Sequence, residues 1–295
     1  MRIWVMAARV RTLPAAIAPV LVGTSLALGA GTFEGFAFAA ALLGAVFIQV
    51  GTNLSNDYSD ARRGADTEDR LGPVRVTAGG LVPPGQVLLA TYVTFGLAVG
   101  CGVYLIVVAG WELLAVGAAS ILAGVLYTGG PRPYGYEGLG ELFVFLFFGV
   151  VAVTGSYFVQ IQHLPWEAFV TSVPVGLLAA AILVVNNVRD VDTDARAGKR
   201  TLAVRLGRER TRALYAAMLA GAYVSAPLPW VFGSETAWLL LPWLTIPLAL
   251  RLVALVRTHT DGPTLNGALA RTGALQLVFC LLLAAGILAG GGVSG

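Results

Sequence analysis

The chain has 295 residues, 57% of them apolar and only 12% charged, with a mean hydropathy of +0.79 and a formal net charge of +3. Soluble domains carry roughly 25% charged residues, so a soluble globular enzyme is excluded. Long charge-free windows indicate a helical membrane protein, because a segment in lipid must satisfy its own backbone hydrogen bonds.

The first window, 12–33, follows Arg2, Arg9 and Arg11. Its apolar run exceeds the roughly 7–15 residues of a secretory signal core, so it reads as a retained first span. The second window, 35–56, runs into the polar string GTNLSNDYSDARRGAD. Windows 76–111 and 113–131 predict spans three and four, and the Gly- and Pro-rich YTGGPRPYGYEG ends the fourth in a tight loop. Windows 142–166 and 168–188 predict spans five and six, the sixth ending in VVNNVRDVDTDARAGKRT. Windows 213–234, 236–250 and 272–295 predict the last three; the eighth is short and requires Arg251 to snorkel to the interface. The expectation is an all-α, polytopic protein of nine transmembrane helices, forming one domain over 1–295.

All 19 Lys and Arg residues fall at the N-terminus or in the alternate loops on the same side, after spans two, four, six and eight. By the positive-inside rule that face, with the N-terminus, is cytoplasmic. The opposite loops carry Glu34, Glu112, Glu167 and Glu235, with Trp111, Trp166, Trp230 and Trp238 as interfacial anchors. Topology and anionic lipid account for the basic face, so no nucleic-acid partner is expected. Cys101 and Cys280 lie inside spans as small buried hydrophobes, and His163 and His259 are too few for a His-rich metal site.

Two acidic boxes stand out at the inner ends of spans two and six. At 100° per residue, Asn53, Asp57 and Asp60 fall within about 60° of one another, and Asn56 stays within about 100°. Asn186, Asn187, Asp190 and Asp194 share a similar arc, while Asp192 points away. Corresponding residues are 133 apart, Asn53 to Asn186 and Asp57 to Asp190, with four spans between them, so both helices run the same way as in a parallel repeat. Either box alone reads equally well as a solvated helix end. Together they suit a divalent cation, because clustered carboxylates repel, and Mg²⁺ accepts Asp and Asn oxygens along with substrate phosphate oxygens.

On these residues the sequence resembles the UbiA superfamily of intramembrane prenyltransferases, whose motifs NDxxDxxxD and DxxxD match Asn56, Asp57 and Asp60, and Asp190 and Asp194. The last acid of the first motif is Gly64 here, and the nearest acid is Asp66. Longer strings, among them ARVRTLPAAIAPVLVGT, DRLGPVRVTAGG and YTGGPRPYGYEGLGE, are similar to the 1,4-dihydroxy-2-naphthoate polyprenyltransferases of menaquinone synthesis. The resemblance implies a nine-helix bundle in the cell membrane with its active site on the cytoplasmic side. The implied reaction is Mg²⁺-dependent transfer of a polyprenyl chain from polyprenyl diphosphate to 1,4-dihydroxy-2-naphthoate, with decarboxylation to demethylmenaquinone.

The resemblance also implies roles. Asp57, Asp60, Asp190 and Asp194 are expected to bind metal, with Asp66 a further candidate. Asn53, Asn56 and Asn186 are expected to complete or orient the site. Lys199, the only lysine, follows box two and is a candidate diphosphate contact, or else a positive-inside loop charge. Arg63, Arg70, Arg75 and Arg132 are candidates of the same kind. Tyr127 at the inner end of span four is expected near the diphosphate, or else serves as an interfacial anchor. The long polar loops, about 57–85 and 189–212, are expected to cap the site and exclude water. The alternatives are a related prenyltransferase acting on 4-hydroxybenzoate, homogentisate or a phosphorylated sugar, and a cation-coupled transporter. A transporter needs polar groups at the bilayer midplane, whereas these acids cluster at one leaflet.

Overall fold

The computed structural model describes residues 2–66, 70–233 and 236–291, and these contain helices and no strand. A short helix α1 (Arg2–Ala8) leads into α2 (Pro14–Gly29) across a 53° bend. Arg9 ends α1 in the left-handed region (φ 51°), and Pro14, which lacks an N–H, opens the new helix. The basic N-terminal stretch is thus helical rather than a plain loop. Glu235 and Asp69 lie outside the described residues.

The remaining long helices are α3 (Gly35–Arg62), α4 (Pro84–Ala109), α5 (Glu112–Leu126), α6 (Gly140–Ile161) and α7 (Trp166–Arg196). After the short α8 (Leu202–Leu206) come α9 (Arg208–Val231), α10 (Ala237–Thr258) and α11 (Gly262–Ala289). Seven of these are long and apolar enough to cross a bilayer, or eight membrane segments if α1 and α2 form one bent span. The expected fourth span is α5, whose 15 residues extend only about 22 Å against a hydrocarbon core of roughly 30 Å.

The expected cap segments begin as helix. α3 continues through Asp57 and Asp60 to Arg62, and α7 through Asp190 and Asp194 to Arg196, so both boxes sit on rigid helical backbone. Residues 63–66 and 70–83 are then largely irregular, as is Ala197–Thr201.

α2, α6, α7, α9, α10 and α11 enclose the main apolar core, in which Leu178, Val184, Phe279 and Leu283 are fully buried. α7 is closest to α6 where Gly149 meets Gly176: a Cβ on Gly149 would lie 2.5 Å from Gly176 Cα. The Gly149 turn belongs to a π-helical segment, Phe145–Val151, which also directs Phe147 and Phe148 into a cavity beside α7. α5 packs chiefly on α3 and α4. Together, α3–α7 surround the cavity described next.

Candidate active site

A cavity of about 510 Å³ runs between α3, α4, α5, α6 and α7. Along most of its length the wall is apolar, built from Ile48 of α3, Ile106 of α4, Ile121 of α5 and Phe147 of α6. At one end the lining changes to Asp60 of box one and Asp190 and Asp194 of box two, with Asn53, Asn56 and Asn186 beside them. The two stripes anticipated from helical periodicity therefore open onto one volume, at the same end of the bundle.

The boxes are joined by a cation. Lys199 Nζ lies 3.6 Å from Asp60 Oδ2 and 3.8 Å from Asp194 Oδ1, and 4.9 Å above the Tyr136 ring. The Tyr136 hydroxyl donates to Asp60 Oδ1 at 2.5 Å, and Arg75 Nη2 lies 3.5 Å from Asp60 Oδ2. Burial, with Asp60 beside it, pushes the Tyr136 phenol well above its usual range, so it stays protonated as a donor.

Arg70 and Arg75 reach the cavity from the irregular stretch after α3. Arg70 is paired with Asp66, and Arg75 Nε lies 3.6 Å from the same carboxylate. Even so, Arg70 Nε and Arg75 Nε and Nη1 are buried without a hydrogen-bond partner among the described residues. Such orphaned guanidinium N–H groups are costly unless an anion accepts from them. Burial raises the Asp66 carboxyl above the usual aspartate range, and Arg70 partly counters it.

Several candidate residues do not face the cavity. The two oxygens of Asp57 accept from the backbone N–H groups of Val76 (3.1 Å) and Thr77 (2.9 Å), so this buried carboxylate anchors the loop that carries Arg75. Asp66 also lies outside the lining. Arg63 donates to the Gly130 carbonyl at the surface, and Arg132 is 81% exposed and paired with Glu137 at 3.2 Å. Tyr127 does line the cavity, held edge-on against Tyr134.

The sequence reading passed over other lining residues. Arg9, read there as a topology charge, enters the cavity because the left-handed turn at its own backbone directs it inward. Its Nη2 is 3.4 Å from the Asn53 carbonyl, while Asn53 Nδ2 donates to Ala8 O and Thr12 Oγ1. Thr128 donates to Asn56 Oδ1 at 3.0 Å. The signal for Tyr136 was its place in the Gly- and Pro-rich PRPYGYEG loop; nothing in the sequence marked Arg9.

The residue types suit a hard divalent cation: Asp60, Asp190 and Asp194, with Asn53, Asn56 and Asn186, line one cavity. Among the described residues, no three His, Cys, Asp or Glu side chains converge as a metal-binding group.

The 1,4-dihydroxy-2-naphthoate octaprenyltransferase of Mycobacterium tuberculosis is 44% identical to this chain, covering 99% of the chain and 98% of that protein. The enzyme of the same name from Escherichia coli is 37% identical, over 96% and 94%. Among solved structures, a UbiA homologue from Archaeoglobus fulgidus bound to GPP and Mg²⁺ superposes with a TM-score of 0.67 at 15% identity, over 97% and 99% of the two chains. The apo UbiA homologue of Aeropyrum pernix gives 0.69 at 15% identity, over 95% and 98%. The UbiA prenyltransferase family profile matches residues 16–269. With the bundle, the paired acidic helices and this match in place, the chain belongs to the UbiA prenyltransferase family.

Proposed function

We propose that this protein transfers a polyprenyl chain from polyprenyl diphosphate to 1,4-dihydroxy-2-naphthoate, with loss of the acceptor carboxylate as CO2, to give demethylmenaquinone. The observation that carries the reading is a single cavity, apolar along its length, with both acidic boxes and four cations at one end. The acceptor is supported by the naphthoate octaprenyltransferases that align over nearly their whole length.

In this reading the diphosphate lies at the polar end, where Lys199, Arg9 and the unpartnered N–H groups of Arg70 and Arg75 bind it. Asp60, Asp190 and Asp194 hold Mg²⁺, directly or through water, and Asn53, Asn56 and Asn186 orient that set. The ion supplies Lewis-acid stabilisation of the charge that develops on the leaving diphosphate. Fixed cations stabilise the same charge most strongly where water is excluded. Asp57 contributes by holding the Val76–Thr77 backbone, and Asp66 by pairing with Arg70 and Arg75. Arg63 and Arg132, outside the cavity, stabilise the neighbouring loops. Tyr127 and Tyr136 form the polar-to-apolar rim where the allylic carbon and the acceptor ring meet. The prenyl tail lies along the apolar wall.

Within the segments 57–85 and 189–212, the parts beyond the helix ends Arg62 and Arg196 act as caps, through Arg70, Arg75 and Lys199. We place the basic face and the N-terminus on the cytoplasmic side of the cell membrane, by the distribution of Lys and Arg. Nine crossings follow if α1 and α2 are one bent span and α5 is a short one.

The test is an assay of purified protein in lipid with polyprenyl diphosphate and 1,4-dihydroxy-2-naphthoate, with Mg²⁺ or with EDTA. Mg²⁺-dependent prenylated product with matching CO2 release is expected. Product only with another aromatic acceptor would overturn the naphthoate assignment, and no product with any acceptor would overturn the reaction.

A further inference from the structure

Arg189 is among the largest fully buried side chains of the molecule, 2% exposed, and none of the roles above uses it. It lies on α7 next to Asp190, and its guanidinium spans the Asp190 carboxylate, Nε to Oδ1 at 2.8 Å and Nη2 to Oδ2 at 2.5 Å. Nη2 also reaches Asn186 Oδ1 at 2.8 Å. The remaining arm leaves the acidic box: Nη1 donates to Asn266 Oδ1 of α11 at 2.5 Å. Asn266 in turn donates through Nδ2 to the Leu71 carbonyl at 3.1 Å, in the stretch that carries Arg70 and Arg75.

The backbone of that stretch rests directly on the guanidinium. A Cβ on Gly72 would lie 2.8 Å from Arg189 Nη2, so any side chain there would have to displace the guanidinium. A Cβ on Gly262, at the start of α11, would lie 2.8 Å from the Leu71 carbonyl oxygen. One hydrogen-bonded path therefore runs Asp190, Arg189, Asn266, Leu71, across two helices and one loop that are distant in sequence.

We propose that Arg189 and Asn266 are positioning residues that couple the Asp190 carboxylate to the arginine-bearing stretch 70–75, so that engagement of Asp190 by a cation-bound diphosphate tightens that stretch over the cavity. The inference rests on the reading that Asp190 meets a cation-bound diphosphate. A planar guanidinium with a fixed fork of donors cannot reorient one arm alone. Any change in how Asp190 is engaged at the cavity therefore shifts the arm on Asn266, and Asn266 is hydrogen-bonded to the loop. A merely structural Arg189 would stabilise the bundle without making loop exposure depend on ligand.

The test uses full-length protein with Cys101→Ala and Cys280→Ala, and with Val74→Cys at an exposed position of the stretch. Labelling of the new thiol is timed with and without Mg²⁺ plus inorganic pyrophosphate, and pyrophosphate binding is measured separately by calorimetry. In the parent, ligand should slow labelling about tenfold, the equivalent of one hydrogen bond to a charged group. Asn266→Ala should abolish that slowing while still binding pyrophosphate. Asn266→Asp, which keeps an acceptor for Arg189 but loses the N–H to Leu71, should also abolish it, and serves if the alanine variant does not fold. Undiminished protection in either folded variant overturns the coupling and leaves the proposed function standing. A parent that binds no pyrophosphate with Mg²⁺ overturns both.

Discussion

Lys199 Nζ stands 3.6 Å from Asp60 Oδ2, so a residue just past the second acidic box neutralises an acid of the first, 139 positions earlier. The lysine lies in Ala197–Thr201, the short break after α7, and its nitrogen is also 3.8 Å from Asp194. This contact makes the two helical stripes one site.

Lys199→Ala is expected to raise KM for polyprenyl diphosphate and lower kcat/KM by about 10²–10³-fold, the usual cost of losing one fixed donor to developing charge. Lys199→Arg should recover part of the loss, since charge is kept but the point-like ammonium is replaced by a planar fork. Steady-state kinetics in lipid check both.

Tyr136→Phe keeps the ring under Lys199 but removes the hydroxyl that donates to Asp60. A hydrogen bond to a charged group contributes about 1.5–3 kcal/mol, so kcat/KM should fall about 10–100-fold with little change in thermal stability. An unchanged rate would remove Tyr136 from the site.

Asp57 and Asp60, one turn apart, should fail differently. Asp60→Asn faces the cavity and should cost orders of magnitude in turnover while the protein stays folded. Asp57→Ala strands the N–H groups of Val76 and Thr77, at about 1–3 kcal/mol for each buried donor. Its signature is a lower Tm and faster tryptic cleavage at Arg70 and Arg75, in addition to any loss of rate.

Asp261 caps α11 by accepting from Thr264 N–H at 2.9 Å, and that bond holds its carboxyl below the usual aspartate value of 3.8. A depressed folded pKa means stability that is present above 3.8 and is lost as pH falls through the lower folded value. Asp261→Ala should therefore lower Tm at neutral pH, and the difference from the parent should shrink once the medium is acid enough to protonate the native cap. Asp261→Asn should keep most of the cap and lose this pH sensitivity. Melting curves across pH 2–7 decide between these outcomes.

The sequence by itself determined the class of protein and which polar residues share a helix face. Charge-free apolar windows, most of them about a bilayer's length, leave helices as the solution, and a 100° repeat places Asn53, Asp60, Asp190 and Asp194 on defined faces whatever surrounds them. Those rules are local, and the cavity bears them out. Tertiary structure decided which acids of each stripe face that cavity. Asp57 shares the arc of Asp60, yet its carboxylate is taken up by the Val76–Thr77 backbone, a partner set by how the irregular stretch after α3 folds back. Arg9 becomes a lining residue because of one left-handed backbone angle, and Arg189 becomes a junction because α11, more than 70 residues later, brings Asn266 to it. Periodicity says which way a side chain points from its own helix; only packing between distant elements says what it meets there.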